Sequence, residues 1–278
     1  MTPTPTSLEV IGPTLGGPPR PFMLRGLAEK EVRADVVDAG TGTPVVFLHG
    51  LVGLNDHWET VAHRVVARNR CIMLQLPLLG LTGDDCSIHG ATELTARFLQ
   101  QYVGGPSVIV GNSFGGHVAL RLAVEQPQLL KGLVLAGSSG LIEKSMVSDV
   151  QIRPSREWLE RKIGELFFDK TKMNPNDVER AFRELSERGH ARAMVKLSRS
   201  ARRNHLGSLI GGIKAPTLLI WGREDIVTPP EAAHELHAKI RNSRLCWLDR
   251  CGHAPMIERP EEFAEALIEF TGELDRRG

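Results

Sequence analysis

Ser113 stands two residues after Gly111 and two residues before Gly115, in the stretch VIVGNSFGGHVALRLA that covers residues 108–123. A short apolar run precedes this serine, and a pattern with helical periodicity follows it. Glycine fits where a side chain would collide with its surroundings or where φ must be unusual. The spacing therefore predicts a tight strand–turn–helix junction that holds the Ser113 hydroxyl at its apex.

A serine hydroxyl becomes a good nucleophile only when a base accepts its proton and a third group orients that base. Two later segments could supply these groups. The stretch 217–230, TLLIWGREDIVTPP, contains a predicted buried strand followed by Glu224 and Asp225. The stretch 244–263, RLCWLDRCGHAPMIERPEEF, contains a predicted strand followed by His253. Among the ten histidines of the chain, His253 is distinguished by this position after the last predicted strand.

Acyl transfer from a serine also requires N–H donors for the negative charge that develops on the carbonyl oxygen. The segment FLHGLVG (47–53) contains a sharp turn after its predicted strand. We expect the backbone N–H groups of Leu51 and Phe114 to form this oxyanion hole. We expect His49 to support the loop and to take no part in the chemistry.

A parallel sheet could bring these distant residues together. Short apolar runs alternate with segments of helical periodicity, which is typical of strands that helices cover on both faces. One earlier segment, 31–36, alternates polar and apolar residues and predicts a half-buried strand. The sequence therefore predicts an α/β fold. The apolar runs are 44–50, 71–76, 107–110, 133–136, 217–221 and 245–248.

The alternation stops between residues 141 and 213, where three helical patterns occur without a strand-like run. We interpret 141–213 as an inserted helical lid on a core domain formed by residues 26–140 and 214–278. Residues 1–25 contain six prolines, the last of them Pro21, and predict a flexible or surface-draped arm. This start lacks the basic and apolar regions of a secretory signal.

Composition bounds the partners of the protein. The 278 residues carry a net charge of +1, which gives no reason to expect nucleic acid or membrane as a partner. Residues 141–214 carry 16 lysines and arginines against 10 aspartates and glutamates, a local charge of +6. This charge favours an anionic substrate, unless it belongs to solvated helix faces. No apolar run approaches the length of about 18 residues that a membrane span requires.

The four cysteines have no metal-ligand spacing, and reduced thiols in a cytoplasmic protein are the simplest interpretation. We expect a small-molecule substrate, no metal and no organic cofactor. The sequence leaves a monomer and a homodimer as open alternatives.

With these pieces placed, the chain resembles the lidded serine hydrolases of the α/β-hydrolase family over about residues 25–275. Four signatures carry the resemblance: FLHG, VGNSFGG, WGREDIVTPP and DRCGHAPMIERPEEF. The resemblance implies an eight-stranded, mostly parallel sheet flanked by helices, with the lid inserted. It also implies a catalytic triad of Ser113, Asp225 and His253, with Asp225 rather than Glu224 as the acid.

Within that family, the chain is similar to small carboxylesterases and to the meta-cleavage C–C hydrolases. The second group shares GNS at the serine, WGR-D at the acid and CGH at the histidine. In that group, the asparagine before the serine and an arginine of the lid bind the substrate, which implies these roles for Asn112 and Arg183. The chain departs from it at HGLVGLN, where that group has a glycine-rich loop, and at Ala254, where it usually has tryptophan.

The sequence therefore predicts a serine hydrolase that cleaves a carboxylic ester, or a related acyl bond, of a small substrate through an acyl-enzyme on Ser113. One alternative is a C–C bond hydrolase of a diketo or dienoic acid. The other is a ligand sensor on the same fold that keeps the triad and turns over slowly.

Overall fold

The computed structural model of the protein describes residues 15–53, 55–142 and 154–277. Within them, eight strands form one sheet in the order β1-β2-β4-β3-β5-β6-β7-β8. Strand β2 runs antiparallel to both of its neighbours, and the strands from β4 to β8 in this order are parallel. The strands are β1 Arg20–Arg25, β2 Glu31–Ala39, β3 Pro44–Leu48, β4 Arg70–Gln75, β5 Ser107–Ser113, β6 Leu130–Ser138, β7 Thr217–Gly222 and β8 Ser243–Leu248.

Helices cover both faces of the sheet, as the alternating apolar runs predict. In β3, Val46 and Leu48 point to one face, while Val45 and Phe47 point to the other, because successive side chains of a strand alternate. Helices α2, α3 and α7 pack on the first face, and α1 and α9 on the second. The helices are α1 Glu59–Val65, α2 Ile88–Phe98, α3 Phe114–Glu125, α4 Arg156–Gly164, α5 Pro175–Ser186, α6 Arg188–Arg203, α7 Pro230–Lys239, α8 Pro255–Glu258 and α9 Pro260–Arg277.

Part of the predicted N-terminal arm is a strand. Residues 1–14 lie outside the described residues, but β1 occupies positions 20–25 of the predicted arm and pairs with β2 at the edge of the sheet. Phe22 and Leu24 fall on the inner face of β1, where Phe22 packs against the rings of Phe98 and Tyr102. Pro21 fits here because only one side of an edge strand needs N–H donors.

Three helices, α4, α5 and α6, lie between β6 and β7, within the segment predicted as a lid, and we call them the inserted helices. They share a small apolar core of their own, which contains Trp158, Leu159, Ala181, Leu185 and Met194. Residues 143–153 of that segment lie outside the described residues. In the described part of the chain, no helix has the length and apolar character that crossing a membrane requires.

Candidate active site

Ser113 is the last residue of β5, and α3 begins directly after it. Its backbone has φ 54° and ψ −118°, a conformation that costs a non-glycine residue about 1–3 kcal/mol. The turn is close to its surroundings, since a Cβ atom on Gly115 would lie 2.5 Å from the carbonyl oxygen of Leu48. A Cβ atom on Gly111 would collide with the carbonyl oxygen of Gly115 in the same way. The two glycines therefore permit the strained turn at Ser113, which is one of the residues that line a cavity.

His253 and Asp225 form a buried pair at the same edge of the sheet. Asp225 follows β7, His253 follows β8, and His253 Nδ1 lies 2.9 Å from Asp225 Oδ2. Because a carboxylate only accepts, Nδ1 carries the proton and Nε2 is left as the acceptor. This is the tautomer that a general base for a serine requires.

The carboxylate of Asp225 is held firmly in its turn. Its Oδ1 accepts the backbone N–H groups of Val227 and Thr228 at 2.8 and 2.9 Å. Its Oδ2 accepts the Thr228 hydroxyl at 2.8 Å as well as His253. Glu224, the other carboxylate that the sequence left open, instead accepts the backbone N–H of Cys251 at 2.9 Å. The structure thus brings His253 to Asp225 and directs Glu224 elsewhere.

Gly137 packs directly against this pair at the end of β6. Its φ is +50°, and a Cβ atom there would lie 3.0 Å from both Asp225 Oδ2 and His253 Nδ1. Ser113 and His253 line one common cavity. The nucleophile candidate and the base candidate therefore face the same space.

The loop after β3 lies beside the serine turn. A Cβ atom on Gly50 would be 3.4 Å from Ser113 Cβ, and both Leu51 and Phe114 line the cavity. Phe114 is the first residue of α3, where backbone N–H groups have no acceptor within the helix. The two residues predicted for the oxyanion hole thus come from segments that meet at Ser113.

His49 supports this loop, as we expected. Its Nδ1 lies 2.7 Å from the carbonyl oxygen of Gly50, and its Nε2 lies 3.2 Å from Gln75 Nε2. Burial lowers the pKa of His49 to about 4, so the ring is neutral near pH 7. A neutral ring that donates from Nδ1 and accepts at Nε2 satisfies both contacts and fixes the Gly50 peptide.

Asn112 lies beside the serine, but its amide hydrogens are already in use. Nδ2 donates to the carbonyl oxygens of Ala136 at 2.9 Å and of His253 at 3.0 Å. A ligand in the cavity could therefore use only the Oδ1 acceptor of Asn112. The asparagine predicted to bind substrate acts first as a brace for the histidine loop.

Arg183 does not face the cavity. It is exposed on α5 and is absent from the cavity lining, so the structure does not support the expected contact with substrate. The reason is helical register, because Asp177, Arg180, Ala181, Glu184 and Leu185 form the stripe of α5 that lines the cavity. The apolar spacing of Ala181 and Leu185 could have identified this stripe from the sequence.

Arg180 is the arginine of α5 in the cavity wall, and it is paired with carboxylates. Its guanidinium contacts Asp177 on the same helix and Asp56 on the core. His57 Nε2 lies 3.4 Å from Asp177 Oδ2. This polar cluster joins the inserted helices to the core beside the cavity.

The cavity has a volume of about 540 Å³ and a mainly apolar lining. Lys162 lies 3.0 Å from Glu165, and His190 lies 3.0 Å from Glu184, so these charged groups of the wall have partners too. Apolar residues of the core and of the inserted helices form most of the wall. They include Leu51, Leu76, Leu78, Trp158, Leu159, Ile163, Phe167, Leu185, Met194, Val227 and Met256.

Comparison with known proteins finds similarity to one hydrolase family and to several of its members. The sequence profile of the Alpha/beta hydrolase family matches residues 45–266. A 2-hydroxy-6-oxononadienedioate/2-hydroxy-6-oxononatrienedioate hydrolase of Paraburkholderia xenovorans is 30% identical, over 86% of this chain and 91% of that protein. The pimeloyl-[acyl-carrier protein] methyl ester esterase of Nitrosomonas europaea is 28% identical, over 82% of this chain and 95% of that protein.

A solved structure agrees in fold. The CarC serine hydrolase, which is involved in carbazole degradation, matches with a TM-score of 0.78 at 24% identity. The match covers 92% of this chain and 99% of CarC.

Proposed function

Because the chain belongs to the alpha/beta hydrolase family, we propose that it is a serine hydrolase that cleaves carboxylic esters, with Ser113, His253 and Asp225 as its triad. The observation that carries the proposal is the His253–Asp225 hydrogen bond of 2.9 Å beside a cavity that Ser113 also lines. That bond leaves Nε2 of His253 as the acceptor for the serine proton.

In the proposed reaction, Ser113 Oγ attacks the ester carbonyl carbon while His253 Nε2 takes the hydroxyl proton. The carbonyl oxygen becomes negative and accepts the N–H groups of Leu51 and Phe114. When the tetrahedral intermediate collapses, the alcohol leaves with the proton from His253. Water then gives a proton to His253 Nε2 and attacks the acyl carbonyl, and collapse of this second tetrahedral intermediate releases the acid while Ser113 Oγ takes the proton back. Asp225 stabilises the imidazolium at both stages.

The lining of the cavity supports an apolar acyl or alcohol group on the substrate. A space of about 540 Å³ accommodates a medium-sized ester, and the wall is mainly aliphatic and aromatic. The local charge of +6 supports an anionic substrate less well than the sequence indicated, since Lys162 and Arg180 are paired with carboxylates and Arg183 lies outside the lining. We therefore propose neutral esters as the preferred class.

Hydrolysis of a C–C bond is the second candidate, and the similarity to the 2-hydroxy-6-oxononadienedioate/2-hydroxy-6-oxononatrienedioate hydrolase of Paraburkholderia xenovorans favours it. In that reaction, His253 would move the proton that converts a dienol to its keto form, and Ser113 Oγ would then attack the ketone while His253 takes the hydroxyl proton. The C–C bond beside that carbonyl carbon would break, the departing carbon would take the proton from His253, and water would hydrolyse the acyl-enzyme to release the acid and restore Ser113. The Oδ1 atom of Asn112 would be available to accept a hydroxyl group of such a substrate, since both amide hydrogens are in use. The acid end of such a substrate would need a cation of the wall, and Arg180 and Arg202 line it.

The free cysteines support the cytoplasm as the place of action. Cys71, Cys86 and Cys251 are buried, Cys246 is half-buried, and all four are thiols. Reduced thiols persist in a reducing compartment.

A fluorophosphonate probe and a substrate panel test the proposal. We expect the probe to label Ser113 once per chain, and Ser113→Ala to abolish both labelling and hydrolysis of a neutral nitrophenyl ester. Faster turnover of a 2-hydroxy-6-oxodienoate than of the ester would favour the C–C candidate. Acylation without steady release of product would favour a sensor, and turnover by Ser113→Ala would contradict Ser113 as the nucleophile.

A further inference from the structure

The histidine loop is attached to the segment that follows α4. The backbone N–H of His253 donates to the carbonyl oxygen of Leu166 at 2.7 Å. The contact is tight at the preceding residue too, since a Cβ atom on Gly252 would lie 2.7 Å from the same oxygen. The base candidate therefore sits on a loop whose backbone touches the insertion.

Glu258 bridges the same two segments. It belongs to α8 and is only 4% exposed. Its Oε2 accepts the backbone N–H of Gly252 at 2.6 Å, and its Oε1 accepts the backbone N–H of Asp169 at 2.9 Å. One carboxylate thus connects the residue before His253 to the segment Leu166–Asp169.

The charge of Glu258 is stabilised by these backbone donors. A buried carboxylate ordinarily requires a cation or strong hydrogen bonds. Glu258 forms no ion pair within the part of the chain that the structure describes, so its hydrogen bonds must meet this need. Hydrogen bonds from N–H groups to a carboxylate are among the stronger ones in proteins. A buried anion with both oxygens engaged in this way fixes the distance between the two segments that it joins.

We propose that Glu258 is a positioning residue for His253, because it holds Gly252 and Asp169 together and so fixes where the imidazole lies in the cavity that Ser113 also lines. The inference rests on the proposed function, in which His253 is the base. Asn112 and Asp225 hold His253 at its carbonyl oxygen and at Nδ1, and Glu258 supplies the hold at the residue before it. A displacement of about 1 Å at a reacting group can cost about 100-fold in rate, so this hold matters for turnover.

The variant Glu258→Gln tests the role with almost no change of shape. Glutamine has one acceptor oxygen, so its NH₂ group must face either the Gly252 or the Asp169 donor. We expect kcat per titrated active site to fall about 10- to 100-fold on a neutral nitrophenyl ester, with KM changed less than about threefold. The rate at which a fluorophosphonate labels Ser113 should fall in parallel. Glu262→Gln, the same change at an exposed position of α9, should leave both unchanged.

A purely structural role would give a different pattern. If Glu258→Gln lowers the melting temperature while kcat per active site and the labelling rate stay at wild-type values, the inference is overturned. If Glu258→Gln does not fold, Glu258→Asp replaces it, because aspartate keeps the charge but is too short to reach both donors. The same fall in kcat is then expected, and wild-type kcat would overturn the inference.

Amide hydrogen exchange separates this inference from the proposed function. We expect the Gly252 and His253 amides to exchange faster in Glu258→Gln than in Glu262→Gln. This measurement needs no substrate and does not depend on the proposed activity. If the probe does not label wild-type Ser113, the proposed function fails, and these exchange rates then decide the inference alone. Unchanged exchange at both amides would overturn it.

Discussion

The Thr228 hydroxyl lies 2.8 Å from Asp225 Oδ2, the oxygen that also accepts the imidazole of His253. The backbone N–H of Thr228 donates a hydrogen bond to the other carboxylate oxygen, Asp225 Oδ1. This threonine therefore helps to aim the carboxylate. His253 Nδ1 lies 3.1 Å from the same hydroxyl, which places all three groups in one buried network.

Asp225→Asn should lower kcat by changing which nitrogen of His253 carries the proton. The amide can present an N–H to His253 Nδ1, which would force the ring into the tautomer whose Nε2 carries the proton. We expect kcat for a neutral ester to fall by about 10⁴, with KM little changed. Steady-state kinetics measure both constants.

Glu224→Gln is the matched control for that change. Glu224 accepts the backbone N–H of Cys251, and among the described residues no hydrogen bond or ion pair joins it to His253, so kcat should stay within about threefold of wild type. A loss of rate in Glu224→Gln equal to that in Asp225→Asn would contradict the assignment of the acid.

The buried ring of His49 should make the free energy of unfolding depend on pH. Burial lowers its pKa from 6.5 to about 4, so between these pH values the unfolded chain binds a proton that the folded chain does not. The free energy of unfolding should therefore fall as the pH drops from about 6.5 to 4, by about 3 kcal/mol from this group. Urea unfolding at several pH values measures the slope.

His49→Asn should flatten that slope, because asparagine can still donate to the Gly50 carbonyl but does not titrate. His89→Asn, at an exposed position of α2, controls for the loss of a histidine. His117, whose pKa burial lowers to about 3, contributes a slope of the same sign in every variant. An unchanged slope in His49→Asn would mean that His49 is not the buried neutral ring described above.

The two arginines of α5 should behave in opposite ways. Arg183→Ala should leave KM within about twofold even for a carboxylate-bearing ester, because Arg183 is exposed and outside the cavity lining.

Arg180→Ala removes the cation from Asp177, which is only 11% exposed at its side chain, and should cost about 2 kcal/mol of stability. It should also raise KM several-fold, since Asp177 and Arg180 both line the cavity. Thermal unfolding and kinetics of the two variants give this comparison. A KM that rises with Arg183→Ala alone would restore the anion-binding role to Arg183.

The sheet and its covering helices were predictable from the sequence for a simple reason. Central parallel strands are buried on both faces, so runs such as Val45–Leu48 are apolar throughout, and the fold analogy placed Ser113, Asp225 and His253 after such runs. Strand β1 was hidden because Pro21 and the prolines before it resemble a linker, and only the short apolar run Phe22–Leu24 could have indicated it.

Parts of the site depend on directions that residue types do not encode. Arg180 and Arg183 have the same chemistry, and only the rotation of α5 decides which of them lines the cavity. Asn112 could bind substrate or brace the histidine loop, and the carbonyl oxygens of Ala136 and His253 decide this in three dimensions. Glu258 contacts the backbone of distant residues, for which a sequence pattern carries no signal.

A side chain introduced at Gly137 should displace one member of the His253–Asp225 pair. In Gly137→Ala, the new Cβ would lie 3.0 Å from Asp225 Oδ2 and His253 Nδ1, so one of them must move by a few tenths of an ångström. Gly207→Ala is the matched control, because Gly207 has φ +48° against +50° at Gly137 and no atom near its would-be Cβ. Both variants should lose about 1–2 kcal/mol through the left-handed backbone, which thermal unfolding measures. Only Gly137→Ala should also lose kcat, by about tenfold, because the base is displaced. Equal kcat in the two variants would mean that the pair tolerates displacement, and that its close packing against Gly137 plays no part in turnover.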